Sequence, residues 1–426
     1  MMSVLVIQYP ASSLYKGIFN MPDIVQERLN RYRWSLALLL VLFVVVEGAL
    51  IIGTRGLTRP PWGDESHFVE TVRAFGNDMG LDNIRNYRQV TPPLTFIAYA
   101  LWGHIAGFDL PHLRLLSLMV AFVFYILIHR IVFETTGKGV LALFVTALLM
   151  VNPYMAGVSV FVFTDMITLA FIAASLYAVW RERPLLLWFG LAGALLCRQY
   201  SVFLMCGACL YAIITWYFDR RPVMAAMAIT SFLSIVPLGM LFLLWGGVAP
   251  PVGSAYWNPE SDLRFHPGFV SVYLVMTTVY LAPLLAYSWR RLYADRRTLL
   301  MSAVAGFYYA AFPIRASEVT VMQTGRTTVG LCHRLIRTTG IGSVAEDVLF
   351  MILFMLAMPV VIHVVRIIRS GLKTKILRYD FFLGLLLFCF LIIMPFSYQN
   401  WEKYILPLLP VITLLLISTE ETATIA

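Results

Sequence analysis

The chain has 426 residues, 60% of them apolar and only 13% charged, with a formal net charge of +9. An ordinary soluble domain is about 45–50% apolar and about 25% charged, and single soluble cores stop growing near ~250–300 residues. These proportions exclude a soluble enzyme, a disulfide-knit secreted module and a disordered tail protein.

Residues 1–33 are polar and place Arg28, Arg31 and Arg33 directly before the first apolar run. They read as a cytoplasmic N-terminal segment. They do not read as a cleavable signal, because the following run is long enough to span and lacks a small-residue cleavage site. Spans are predicted at about 34–53, 113–133, 139–156, 160–180, 184–198, 200–218, 222–245, 268–289, 298–313, 346–368, 380–397 and 404–418. The expectation is an all-α polytopic membrane protein with about twelve transmembrane helices (11–13), no separate soluble domain and a cytoplasmic tail at 419–426. A thirteenth apolar stretch at 92–108 decides the topology. If it crosses, Arg130, Lys138 and every later basic cap change sides. If it lies on the outer surface, these caps all face the cytoplasm, which agrees with the positive-inside rule. Short basic caps of this kind fit membrane topology better than a nucleic-acid surface.

On that topology the outer polar residues collect in loops at about 54–112, 246–267 and 314–345, with short turns near Asp165, Arg198 and Lys403. The first loop reads Pro60-Pro61-Trp62-Gly63-Asp64-Glu65-Ser66-His67-Phe68. Asp64 or Glu65 could act as a general base on a hydroxyl held within ~2.6–3.2 Å. The plain alternative is that Asp64 caps a helix at about 65–77. His67 joins the candidate substrate-binding set. Thr91-Pro92-Pro93 then stops one helix and starts the next, as scaffold with interfacial Tyr99 and Trp102. Glu47, inside the first span, is expected to face the bundle and hydrogen-bond there.

Asp165, in Phe163-Thr164-Asp165-Met166, is an ionisable group at a span end; function and a helix cap shared with Thr164 both stand as readings. Arg198-Gln199, at the junction of two runs, could hold a lipid phosphate or snorkel to headgroups. Lys403-Tyr404 opens the last span against the positive-inside trend, which favours a phosphate partner or a Glu402 ion pair. Cysteine and histidine spacing suggests neither a disulfide framework nor a metal site, and no cofactor is expected, with a divalent cation left open.

Taken in order, Asp64-Glu65, Thr91-Pro92-Pro93, Thr164-Asp165, Arg198-Gln199 and Lys403-Tyr404-Ile405-Leu406-Pro407 resemble the GT-C superfamily of polyprenyl-phosphate-sugar-dependent glycosyltransferases. The nearest resemblance is to the dolichyl-phosphate-glucose-dependent α-1,2-glucosyltransferases, which add the terminal glucose to the lipid-linked oligosaccharide. Tyr200-Ser201 departs from that family's Thr-Asn, Glu402-Lys403 from its Glu/Arg-Tyr pattern, and Phe265-His266-Pro267 is a reduced form of its His-rich segment. The resemblance implies an inverting transfer of a hexose, with Asp64 or Glu65 as base. Arg198 and Lys403 would hold the leaving phosphate, and Asp165 would position the acceptor or orient Arg198. Its implied partners are a polyprenyl-phosphate-linked donor, a glycan or lipid-linked glycan acceptor and membrane lipids, with no nucleic acid. The host membrane would be a bacterial or archaeal plasma membrane or the endoplasmic reticulum. A secondary transporter or flippase is the rival reading, and a non-catalytic scaffold the third. Transporters place polar, broken-helix features near the midplane in related halves, whereas here they crowd the outer ends.

Overall fold

A computed structural model of the chain describes residues 21–257, 264–397 and 399–418. The predicted tail at 419–426 and most of the predicted N-terminal segment lie outside the described residues. No strand occurs among those described. The helices run in order as α1 (Met21–Thr54), α2 (Glu65–Asn77), α3 (Leu81–Arg85), α4 (Leu94–Ala106), α5 (Leu110–Thr136), α6 (Gly139–Met150) and α7 (Pro153–Val160). Then come α8 (Thr164–Trp180), α9 (Pro184–Cys197), α10 (Val202–Asp219), α11 (Pro222–Leu233), α12 (Val236–Trp245), α13 (Pro251–Trp257) and α14 (Pro267–Tyr287). The rest are α15 (Trp289–Tyr293), α16 (Arg296–Ala311), α17 (Glu318–Thr324), α18 (Leu331–Thr338), α19 (Ser343–Thr374), α20 (Tyr379–Ile393) and α21 (Leu409–Ser418).

A helix stands at each of the twelve predicted spans, but fewer are long enough to cross a bilayer unaided. Seven helical stretches are sufficiently long and apolar among the described residues, or eight if α6 and α7, bent by 77°, form one span. The remainder fall short of the ~20 residues that a ~30 Å core requires. Helices α8 and α9 have 17 and 14 residues and α21 has 10, while α16 has 16 and opens on Arg296-Arg297. Every residue from Leu409 to Ile417 is buried, and α8 is buried along most of its length. Helices surrounded by protein need not match the lipid thickness. Lipid-facing surface lies elsewhere, where Val41, Val44 and Ile52 of α1, Leu243 of α12 and Phe307 of α16 are exposed. This is a multi-pass integral membrane protein.

Contacts at the helix ends settle the path of the first loop. Arg114, in the second turn of α5, donates Nη1 to the carbonyls of Gly56 (2.8 Å) and Arg59 (2.9 Å), just beyond α1. At the other end of α5, the Glu134 carbonyl accepts from Arg28 of α1 at 3.3 Å. So α1 and α5 are antiparallel, and the chain between them leaves and returns at one end of the bundle. Helix α4, 13 residues or about 20 Å long, therefore makes no net crossing. The basic caps gather at the opposite end. There Arg130 and Arg181 meet Glu134 at 2.9 and 3.5 Å, and Arg221 meets Glu182 at 2.7 Å.

Candidate functional site

The site grows from the α8–α9 hairpin. Asp165 lies sixteen residues before Arg181, and Arg198 fifteen after Arg183, on either side of a tight turn. At 1.5 Å per residue the two stand about 24 and about 22 Å from that turn, and so at nearly one level. Glycines let the helices close up: a Cβ on Gly190 would collide with the Ser175 hydroxyl, and one on Gly193 would come within 2.5 Å of the Phe171 ring. Arg198 Nη2 then donates to both Asp165 carboxylate oxygens, at 3.0 and 2.9 Å, with both side chains nearly inaccessible. The expected cap by Asp165 and Thr164 does not form, because Phe163 occupies the cap position of α8 and caps nothing with its side chain. The guanidinium lies 5.7 Å from the Tyr200 ring centroid, and the Tyr200 ring lies 6.4 Å from that of Tyr404. Arg198 Nε and the Thr164 hydroxyl are buried without a hydrogen-bond partner among the described residues.

The acidic pair of the first loop is split by its surroundings. Glu65 is fully buried and accepts four hydrogen bonds. Oε1 takes Arg114 Nε and the Val162 N–H, each at 2.9 Å, while Oε2 takes Arg114 Nη2 (2.6 Å) and the Trp62 N–H (3.0 Å). Four acceptor positions are all that a carboxylate offers. Of the two carboxylates expected to include the base, Glu65 therefore has every acceptor position filled in this structure. Asp64 points the other way. Its side chain is 55% exposed, makes no cap bond to α2, and meets Lys403 Nζ at 3.3 Å. The Lys403 ammonium holds the Asp64 carboxyl below the usual carboxylate range. Partial desolvation opposes this, and the charges of Arg198 and His67 reinforce it.

Lys403 thus pairs with Asp64, not with Glu402 as one expectation had it. The turn Glu402–Ile405 is 3-10, and α21 begins only at Leu409. Asp64, His67, Asp165, Arg198, Lys403 and Tyr404 come together at one end of the bundle. Gln199 is engaged elsewhere. Its amide nitrogen donates to the carbonyls of Val90 and, at 3.3 Å, Val248, tying two loops together. Next to Val248, α12 presents an exposed apolar face that includes Val236, Met240 and Leu243. Glu47 hydrogen-bonds Ser159 at 2.8 Å, as expected of a bundle-facing carboxyl.

Arg114 escaped the sequence reading, and Glu402 entered it only as an ion-pair partner for Lys403. Arg114 carried a usable signal, as an ionisable residue within a predicted span. Glu402 carried no signal for its actual partners, since its neighbour Lys403 supplied a plausible one.

No protein-family model and no curated protein matches the chain. Among solved structures it is similar to ArnT from Cupriavidus metallidurans, in the apo state and bound to undecaprenyl phosphate. Identity is 14% in both cases, with TM-scores of 0.43 and 0.44, covering 89% and 90% of this chain and 76% and 78% of that one. It is also similar to the S. cerevisiae protein O-mannosyltransferase Pmt1-Pmt2 complex bound to the sugar donor, at 16% identity and a TM-score of 0.39. That match covers 56% of this chain, which spans 36% of the mannosyltransferase chain.

Proposed function

We propose that this protein is an integral-membrane inverting glycosyltransferase of the GT-C type. It moves a hexose, glucose by the motif resemblance, from a polyprenyl-phosphate-linked donor to a glycan or lipid-linked glycan on the outer or lumenal face. The observation that carries this reading is the Asp64–Lys403 pair: an accessible carboxylate and an ammonium 3.3 Å apart, beside a buried arginine with a free Nε.

The reaction is a single displacement. The acceptor hydroxyl oxygen attacks the anomeric carbon, its proton passes to Asp64, and the anomeric C–O bond breaks with its electron pair leaving on the lipid phosphate. Lys403 and Arg198 stabilise the charge that grows on that phosphate. Asp165 holds the Arg198 guanidinium in place. Arriving phosphate competes for Lys403, which releases Asp64 and raises its basicity in the complex. The isoprenoid tail would lie against the exposed apolar face of α12, beside the loop that Gln199 secures.

The test is a transfer assay with purified protein in lipid and a panel of polyprenyl-phosphate sugars, following release of polyprenyl phosphate. Release that Asp64→Asn abolishes supports the reading and names the sugar. No release from any donor, with crude lipid-linked glycans among the acceptors, would overturn it in favour of transport.

A further inference from the structure

The carboxylate next to Lys403 is buried and pairs with no cation among the described residues. Glu402 is fully inaccessible, yet four neutral donors converge on it. Oε2 accepts from Tyr154 Oη (3.1 Å), Tyr280 Oη (3.2 Å) and the Cys332 N–H (2.9 Å), and Oε1 from the His333 N–H (2.8 Å). The Leu331 N–H donates to Tyr154 Oη at 2.8 Å, so all three first-turn amides of α18 are answered by Glu402 or its phenol partner. The Glu402 N–H in turn donates to the Val329 carbonyl at 2.9 Å. A side chain from position 402 thus caps a helix roughly seventy residues earlier, where the dipole of α18 favours negative charge.

The fit is tight at Gly330. A Cβ there would collide with Tyr154 Oη and lie 2.6 Å from Glu402 Cδ. Glu402 and Lys403 are successive residues of one short 3-10 turn and face different partners, α18 and Asp64.

We propose that Glu402 is a positioning residue: by capping α18 it fixes the 402–405 turn and so holds Lys403 opposite Asp64. Its catalytic consequence rests on the glycosyl-transfer reading, whereas the positioning itself can be measured without it. Glu402→Gln must turn an N–H₂ either toward the His333 amide or toward three other donors. Gly330→Ala disturbs the same contact without changing charge, and serves as the second variant.

Two readouts need no substrate. A carbodiimide joins a carboxyl to an amine without a spacer, so Asp64 and Lys403 should cross-link in the full chain in lipid nanodiscs, mapped by mass spectrometry. Cys332 reports the cap. Burial first, and the Glu402 charge second, push its thiol up to about 11. Undocking should restore an ordinary thiol and speed maleimide labelling at pH 8 by about ten-fold or more. In both variants we expect the cross-link yield to fall about five-fold while Cys332 labelling rises, with kcat falling about 10–100-fold and the donor KM rising, because Lys403 also meets the arriving phosphate. An unchanged cross-link in both variants overturns the proposal. Lost cross-link with wild-type turnover overturns the catalytic role. Lost cross-link in a protein whose wild type transfers nothing upholds the positioning and overturns glycosyl transfer.

Discussion

Glu65 Oε2 and Arg114 Nη2 lie 2.6 Å apart with neither side chain exposed, while the preceding residue, Asp64, faces outward. The pair welds α2 to the start of α5 and, through Arg114, to the carbonyls that follow α1. Its role is to fix the platform on which Asp64 stands.

Breaking one half of this pair leaves a buried charge without its partner, which typically costs about 3–5 kcal/mol. Glu65→Ala and Arg114→Ala should therefore unfold at markedly lower temperature in detergent. Asp64→Asn should unfold with the wild type. A stable, wild-type-like Glu65→Ala would show that the ion pair does not hold the loop.

Asp64→Asn should cut turnover by about 10²–10⁴, the range expected for a removed general base, while donor binding persists. The acid limb of activity follows from the depressed Asp64 carboxyl. A group lowered on folding by Lys403 stays ionised well below neutrality, so kcat/KM should hold as pH falls and be lost only below the ordinary carboxylate range. Lys403→Met removes the first cause of the shift and should move that limb upward. A pH–rate profile of the variant that keeps the wild-type limb would contradict this.

Asp165 and Arg198 should behave as a coupled pair. Asp165→Ala leaves a buried guanidinium unpaired and should destabilise by about 3–5 kcal/mol. Adding Arg198→Met to it should recover stability without recovering transfer, since a phosphate ligand has then been lost. Additive losses in this double-mutant cycle would deny the coupling.

The third loop should loosen in acid. His333 accepts from the Val329 N–H at Nδ1 (3.3 Å), and its Nε2 lies 2.8 Å from Glu346. Burial lowers this imidazole; Glu346 and Glu402 oppose the shift and Arg337 reinforces it. For a histidine lowered on folding, the stabilisation is present above its ordinary value near 6.5 and lost as pH falls through the folded value. Proteolysis between 326 and 341 should accelerate below pH 6 and not between pH 7 and 8.

Topology can be read with an impermeant maleimide. Thr58→Cys and Asp109→Cys should label from one side of the membrane and Lys375→Cys from the other, because the chain from α1 to α5 returns to its starting end. Opposite labelling at positions 58 and 109 would mean that α4 crosses.

Much of the site was legible because its residues break the pattern of their surroundings. Asp165 and Arg198 are charges at the ends of apolar runs, where an isolated charge is costly, and the two do meet. Lys403 stood out against the charge bias of its face. Asp64 and Glu65 could not be told apart by position, since neighbours in sequence share the same loop; only burial separates them. Gln199 reads as a polar residue at a junction, and the two carbonyls that occupy its nitrogen come from loops 109 and 49 residues away.

The sequence by itself determined that this chain lies in a membrane, that its elements are helices, and where most of their ends fall. Composition and periodicity are local quantities, and a bilayer demands hydrogen-bonded apolar segments of set length. Tertiary structure alone decided which charges are partners. The Asp64–Lys403, Glu65–Arg114 and Glu402–α18 contacts join residues 339, 49 and about 70 positions apart. Coulomb and hydrogen-bond energies depend on distance in space, which helix packing sets and which sequence separation does not encode.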